Sequence, residues 1–199
     1  MIKIDFSFYI ALLLAFFSHQ IDIYLTYLIA ILIHECGHLV MATIFKWSII
    51  EFRLSALGGF LRFNNELCQP VGKSLLVALG GVLFNLIFGC LLILFGGPSS
   101  LIYTQFAIVI FNLLPIHPLD GSRIVQAILR HFFAYKSVLN ISKYLNIIAL
   151  VVFIIAIITF GQEQYFIVAI MLAVLVGKFQ ATAAYTYERY KIQCGYYLQ

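Results

Sequence analysis

His34, Glu35 and His38 stand in the order HExxH, as His34-Glu35-Cys36-Gly37-His38. On a helix, residues four apart share a face, so the two imidazoles can hold one divalent metal ion, and zinc is the usual occupant of this spacing. Glu35 would project about 100° away from His34 around the same helix. It could then move a proton on a water beside the metal without being a ligand. The plainer alternative is three polar residues that join neighbouring helices by hydrogen bonds.

Hydrolytic zinc sites keep three protein ligands and an open fourth position. The remaining side chains of suitable type are Asp5, His19, Asp22, Glu51, Glu66, His117, Asp120, His131, Glu163 and Glu188. Choosing among them requires knowing which elements carry them and at what depth.

Of 199 residues, 63% are hydrophobic and 10% charged, against about 25% charged in soluble domains. The length suits one domain, here residues 1–199, but no globule of this size could hide so much apolar surface from water. That excludes a soluble enzyme, a disordered tail and a nucleic-acid binder, which needs a basic patch on a polar chain. The expected fold is an all-α polytopic membrane protein with about six transmembrane helices. Stretches long and apolar enough lie at about 5–18, 22–45, 74–96, 100–117, 141–160 and 164–178. The first reads as a retained span, not a cleaved signal.

The cations test this arrangement independently. Lys3 precedes span one. Lys46, Arg53, Arg62 and Lys73 lie between spans two and three. Arg123, Arg130, Lys136 and Lys143 lie between spans four and five or open span five, and Lys178, Arg189 and Lys191 follow span six. All twelve fall on one side, so the positive-inside rule puts both termini in the cytoplasm.

Span two then runs inward, with His34 and His38 in its cytoplasmic half. Span four runs the same way and ends in Asn112-Leu113-Leu114-Pro115-Ile116-His117-Pro118-Leu119-Asp120-Gly121. Asp120 is the expected third ligand. Pro115, Pro118 and Gly121 supply the irregular backbone that could turn its carboxylate inward, where protein or a wet cavity surrounds it. His117 competes by chemical type, although packing or support of the ligands suits a ring between two prolines better. The zinc core would span about 22–121.

HExxH within a span, together with Asn112 to Gly121 (NLLPIHPLDG), resembles the site-2 protease family of intramembrane zinc metalloproteases. Leu57-Gly58-Gly59-Phe60 is similar to the family's Gly-Gly-aromatic element. Gly81-Val82-Leu83-Phe84-Asn85 is similar to its Gly-Pro-x-x-Asn motif, with Val82 where proline is usual. The compact core is most similar to the stage IV sporulation protein FB-like branch. Members of that branch often carry a C-terminal CBS domain, which residues 1–199 do not include, so nucleotide control stays open.

The resemblance implies one Zn²⁺ per chain held by His34, His38 and Asp120, with Glu35 as catalytic acid/base. Asn85, Asn112, Gly58, Gly59 and Phe60 would position the substrate, although Asn85 serves equally well as a hydrogen-bonding link between helices. It implies hydrolysis of membrane-associated proteins within or at the cytoplasmic edge of a bacterial cell membrane, a sigma-factor precursor as substrate, and inhibitory membrane partners. Two other classes fit the composition: a catalytically inactive membrane scaffold, and a small metal or proton transporter.

Residues 50–63 alternate imperfectly on either side of Gly58-Gly59 and predict a cytoplasmic β-hairpin. By the resemblance, its edge would pair with an unwound substrate strand; an ordinary loop is the alternative. Residues 122–135 predict an interfacial helix. Tyr185, Tyr187, Tyr190, Tyr196 and Tyr197 suit a membrane-surface anchor. Cys36, Cys68, Cys90 and Cys194 have no regular spacing and predict no disulfide framework.

Overall fold

The structure, a computed structural model, describes residues 2–55, 58–64, 68–117, 119–160 and Cys194. Its elements in chain order are β1 (Ile2–Ile4), α1 (Phe6–Phe17), α2 (Ile21–Ile44), β2 (Ile49–Ser55), β3 (Gly58–Phe63), α3 (Val71–Leu94), α4 (Ser99–Asn112), α5 (Asp120–Phe132) and α6 (Tyr135–Phe160). The helices α2 and α3, and α6 over 135–155, are long and apolar enough to cross a membrane; α1 and α4 are shorter apolar helices. The chain is an integral membrane protein.

The first four expected spans correspond to α1 to α4. The fourth helix stops at Asn112 rather than 117, because Pro115 lacks an N–H and disfavours helical backbone at Leu114. The fifth begins at Tyr135, six residues earlier than expected. The expected sixth span and the tyrosine-rich tail lie outside the described residues.

The chain gathers into two compact units, residues 1–66 with 76–111, and residues 67–75 with 112–199. In the first, three helices end by one device. His19 (φ 56°), Lys46 (φ 59°) and Gly96 (φ 69°) adopt left-handed backbone one residue past each cap. The residue after each donates back five positions, Gln20 to Ala15 at 2.9 Å, Trp47 to Ala42 at 2.8 Å and Gly97 to Leu92 at 2.7 Å. These bonds satisfy carbonyls that a helix end leaves open. The turn after α2 delivers the chain directly into β2.

The predicted hairpin is present, and a strand that the sequence did not suggest joins it. β2 pairs antiparallel with β3, from Ile49 opposite Phe63 to Ser55 opposite Gly58. β1 pairs parallel with the other edge of β2, placing Lys3 opposite Arg53. The order β1-β2-β3 leaves β3 as an edge strand. Glu51 on β2 links β1 to the hairpin, 3.2 Å from Lys3 Nζ and 3.0 Å from Arg53 Nη2 of its own strand. Hydrogen bonds from Arg53 and then Lys3 hold its carboxyl below the usual glutamate range. Trp47, Leu61 and Phe63 pack with Ala42 and Val77, seating the sheet on α2 and α3.

In the second unit, α5 occupies the stretch expected to be an interfacial helix and buries Asp120, Gly121, Ser122 and Ala127. Arg130 lies 5.8 Å over the Tyr135 ring and donates to the Gln69 carbonyl at 3.3 Å. Cys68 and Cys194 form a disulfide across 126 residues, which corrects the expectation of no disulfide. Local cysteine spacing carries no signal for a partner so distant in sequence.

Candidate metal centre

On α2, His34 and His38 are 5% and 3% exposed, one turn apart on the face toward α3. The partners on α3 decide which ring nitrogens carry protons. His38 Nδ1 lies 2.8 Å from the Val77 carbonyl oxygen, which can only accept, so Nδ1 is the protonated nitrogen. His34 Nδ1 lies 3.0 Å from Asn85 Oδ1, and Asn85 presents its oxygen because its nitrogen faces the Ala30 carbonyl at 3.0 Å. In the neutral rings the lone pairs then lie on Nε2, and these two atoms face each other at 3.2 Å. Two facing lone pairs repel unless a cation draws on both. Ligand nitrogens on a tetrahedral zinc, at about 2.0–2.1 Å each, stand about 3.3 Å apart. The donor set fits zinc.

Glycine makes room for this pair. A side chain on Gly37 would enter the Gly80 carbonyl group, so the α2–α3 crossing depends on small residues, as membrane helix contacts commonly do. A Cβ on Gly81 would lie 2.5 Å from His38 Nε2 and 2.7 Å from His34 Nε2. The Gly81-to-Asn85 motif thus supplies both a clearance and a support. Val82, placed where proline is usual in the resembling family, is 5% exposed within an uninterrupted α3.

Glu35, next to His34, is 7% exposed. It lies against β3, where a Cβ on Gly59 would come within 2.6 Å of its carboxyl carbon and 2.9 Å of Oε1. The double glycine lies within β3, where Gly59 lets the strand backbone pass over a buried carboxyl group. Gly58 pairs with Ser55 and Phe60 with Arg53 in the ladder.

Asn85 is fully buried, and its amide engages protein groups on both sides. Besides His34 and Ala30, its Nδ2 donates to Gln105 Oε1 at 2.6 Å. Gln105, on α4, is likewise fully buried and was not singled out from the sequence. The usable signal was a glutamine inside an apolar span, where polar side chains are functional hypotheses by default.

In the second unit, Asp120 opens α5 and is 6% exposed. Gly121 packs so closely on the preceding loop that a Cβ would strike the Leu113 and Leu114 carbonyls. The backbone N–H of His117, the competing ligand by sequence, donates to Asn146 Oδ1. Asn146 is 1% exposed and donates to the Ser142 carbonyl at 2.6 Å. The loop leading to Asp120 is thus anchored on α6, a support for which its own motif gave no sign. Asn112 is the last residue of α4.

The facing imidazoles on α2 form a candidate metal centre in a helical membrane fold. Residues 23–102 match the family model described as Peptidase family M50. The chain is 28% identical over 137 residues to zinc metalloprotease MJ0392 of Methanocaldococcus jannaschii, covering 61% of this chain and 40% of the relative. It is 27% identical over 106 residues to stage IV sporulation protein FB of Bacillus subtilis, covering 49% and 37%. It therefore spans less than half the length of these curated relatives. The solved site-2 protease from Methanocaldococcus jannaschii shares the fold, with a TM-score of 0.68 at 19% identity over 89% of each chain.

Proposed function

We propose that this chain is an intramembrane zinc metalloprotease that cleaves peptide bonds of membrane-associated proteins. The observation that carries the reading is the pair of Nε2 atoms 3.2 Å apart on His34 and His38, with the Glu35 carboxyl buried on the adjacent position of the same helix. One Zn²⁺ per chain would be held by His34, His38 and Asp120. A carboxylate oxygen is an ordinary zinc ligand, and the Asp120 carboxyl group is buried at the start of α5, which supports it for the third position.

Bound zinc would polarise the scissile carbonyl and lower the pKa of the attacking water toward neutrality. Glu35 takes the proton of that water and delivers it to the leaving amine. Gly59 gives the Glu35 carboxyl its space, and Asn85 orients His34. A helical substrate hides its carbonyls in hydrogen bonds, so it must unwind first. The β3 edge that no other strand pairs with among the described residues, with Gly58, Gly59 and Phe60, is the proposed docking strand, and Asn112 is proposed to help position the extended segment.

The whole of residues 1–199 would serve as one catalytic domain, with both termini cytoplasmic as the one-sided cations suggest. A bacterial cell membrane, a sigma-factor precursor as substrate and inhibitory membrane partners complete the reading, supported by the likeness to stage IV sporulation protein FB. The test compares purified wild type with Glu35→Gln on a membrane-tethered substrate, with zinc content measured in parallel. The variant should keep its zinc and lose about 10²–10⁴-fold in rate. Equal cleavage by both forms would sink the proposal.

A further inference from the structure

The Asn85 amide has a definite orientation, and α4 contributes to it. Asn85 Nδ2 carries two protons. One meets the Ala30 carbonyl at 3.0 Å, an oxygen already inside the α2 hydrogen-bond ladder. The other meets Gln105 Oε1 at 2.6 Å, an acceptor with no comparable prior role. With both protons held, Oδ1 points to His34 Nδ1 at 3.0 Å. That nitrogen must then be the protonated one, which leaves the Nε2 lone pair facing His38.

Gln105 is a costly residue for this place. It is fully buried, and its Nε2 has no hydrogen-bond partner among the described residues. Burying a donor without an acceptor opposes folding, so packing alone would favour an apolar side chain here. The oxygen end of the same amide gives the residue its use.

We infer that Gln105 is a positioning residue for the metal centre, acting through Asn85 to set the tautomer and ring orientation of His34. The inference rests on the proposed zinc site and adds a third helix to its support. Groups that orient a metal-binding histidine typically contribute 10–100-fold to metal affinity when lost.

Two substitutions separate this role from packing. Gln105→Met keeps the length and removes the acceptor; Gln105→Glu keeps an oxygen in the same place. Zinc affinity is measured by competition with a chelator on detergent-purified protein, with circular dichroism as the check on folding. Gln105→Met should bind zinc 10–100-fold more weakly than wild type, and Gln105→Glu should recover most of that loss. Wild-type zinc affinity in a folded Gln105→Met protein would overturn the inference.

The tautomer supplies a second readout that needs neither a stable variant nor bound metal. In zinc-free wild type, ¹⁵N spectra of labelled histidine should show His34 protonated at Nδ1. Protonation at Nε2 would overturn the inference even if the variants fail to fold. A wild type with the expected tautomer and no affinity for zinc would sink the metalloprotease reading while leaving the amide relay standing.

Discussion

Gly81 on α3 and His38 on α2 meet so closely that a Cβ on the glycine would stand 2.5 Å from the imidazole Nε2. The same Cβ would stand 2.7 Å from Nε2 of His34. The absent side chain therefore preserves the space where the two nitrogens converge.

Gly81→Ala should consequently weaken metal binding without removing the helix. Alanine favours helix over glycine by about 1 kcal/mol, so α3 itself gains. Each imidazole is tethered by its own Nδ1 contact, to Asn85 and to Val77, so moving either ring aside breaks a buried hydrogen bond. Zinc affinity is expected to fall at least about 10-fold, with helical content unchanged by circular dichroism. Full zinc occupancy at wild-type affinity would contradict the clearance role.

How much of this was legible in the sequence depends on the distance over which each signal acts. His34, Glu35 and His38 announce themselves because their spacing is one helical turn, and the hairpin shows through the glycines at its centre. Scarcity of charge made the few polar residues in apolar runs conspicuous. β1 was missed because three residues give no usable periodicity, and its partner lies about fifty positions later. Gln105 and Asn146 were missed for a related reason. Each contacts its partner through a fold-dependent meeting of two elements, and neither sits at a recognisable spacing from the residue that it supports. Gly81 was noticed for its place in a motif, but its closeness to two imidazoles becomes visible only when α2 and α3 are crossed.

Gly59→Ala tests the other side of the centre. Its Cβ would come within 2.6 Å of the Glu35 carboxyl carbon, an obstacle made of a side chain that can swing away. The backbone at this position lies in a regular strand, so alanine adds no conformational strain. The expected outcome is a folded protein that retains zinc while Glu35 is displaced from its working position. A misplacement of about 1 Å at a reacting group costs roughly 10²-fold in rate. Turnover of a membrane-tethered substrate should fall on that scale, chiefly in kcat, with metal content unchanged. Loss of zinc along with activity would instead assign Gly59 to the metal site as a whole.

The sheet that carries Gly59 should weaken in acid through Glu51. This carboxylate accepts from Arg53 at 3.0 Å and lies 3.2 Å from Lys3, so it joins β1 to β2. Those bonds favour the charged form and hold its pKa in the folded protein below the ordinary value of 4.5. The unfolded chain therefore takes up the proton first as pH falls. The stabilisation is fully present above the unfolded value, declines once pH drops below about 4.5, and is gone below the folded value. Thermal melts of wild type and Glu51→Gln should differ at neutral pH and converge in acid. Raising salt at neutral pH should narrow the same gap, because the two cations are half exposed and screening weakens such pairs. A gap that persists unchanged in acid would mean that Glu51 acts through shape and neutral hydrogen bonding, and the ionic link between the first strand and the hairpin would have to be abandoned.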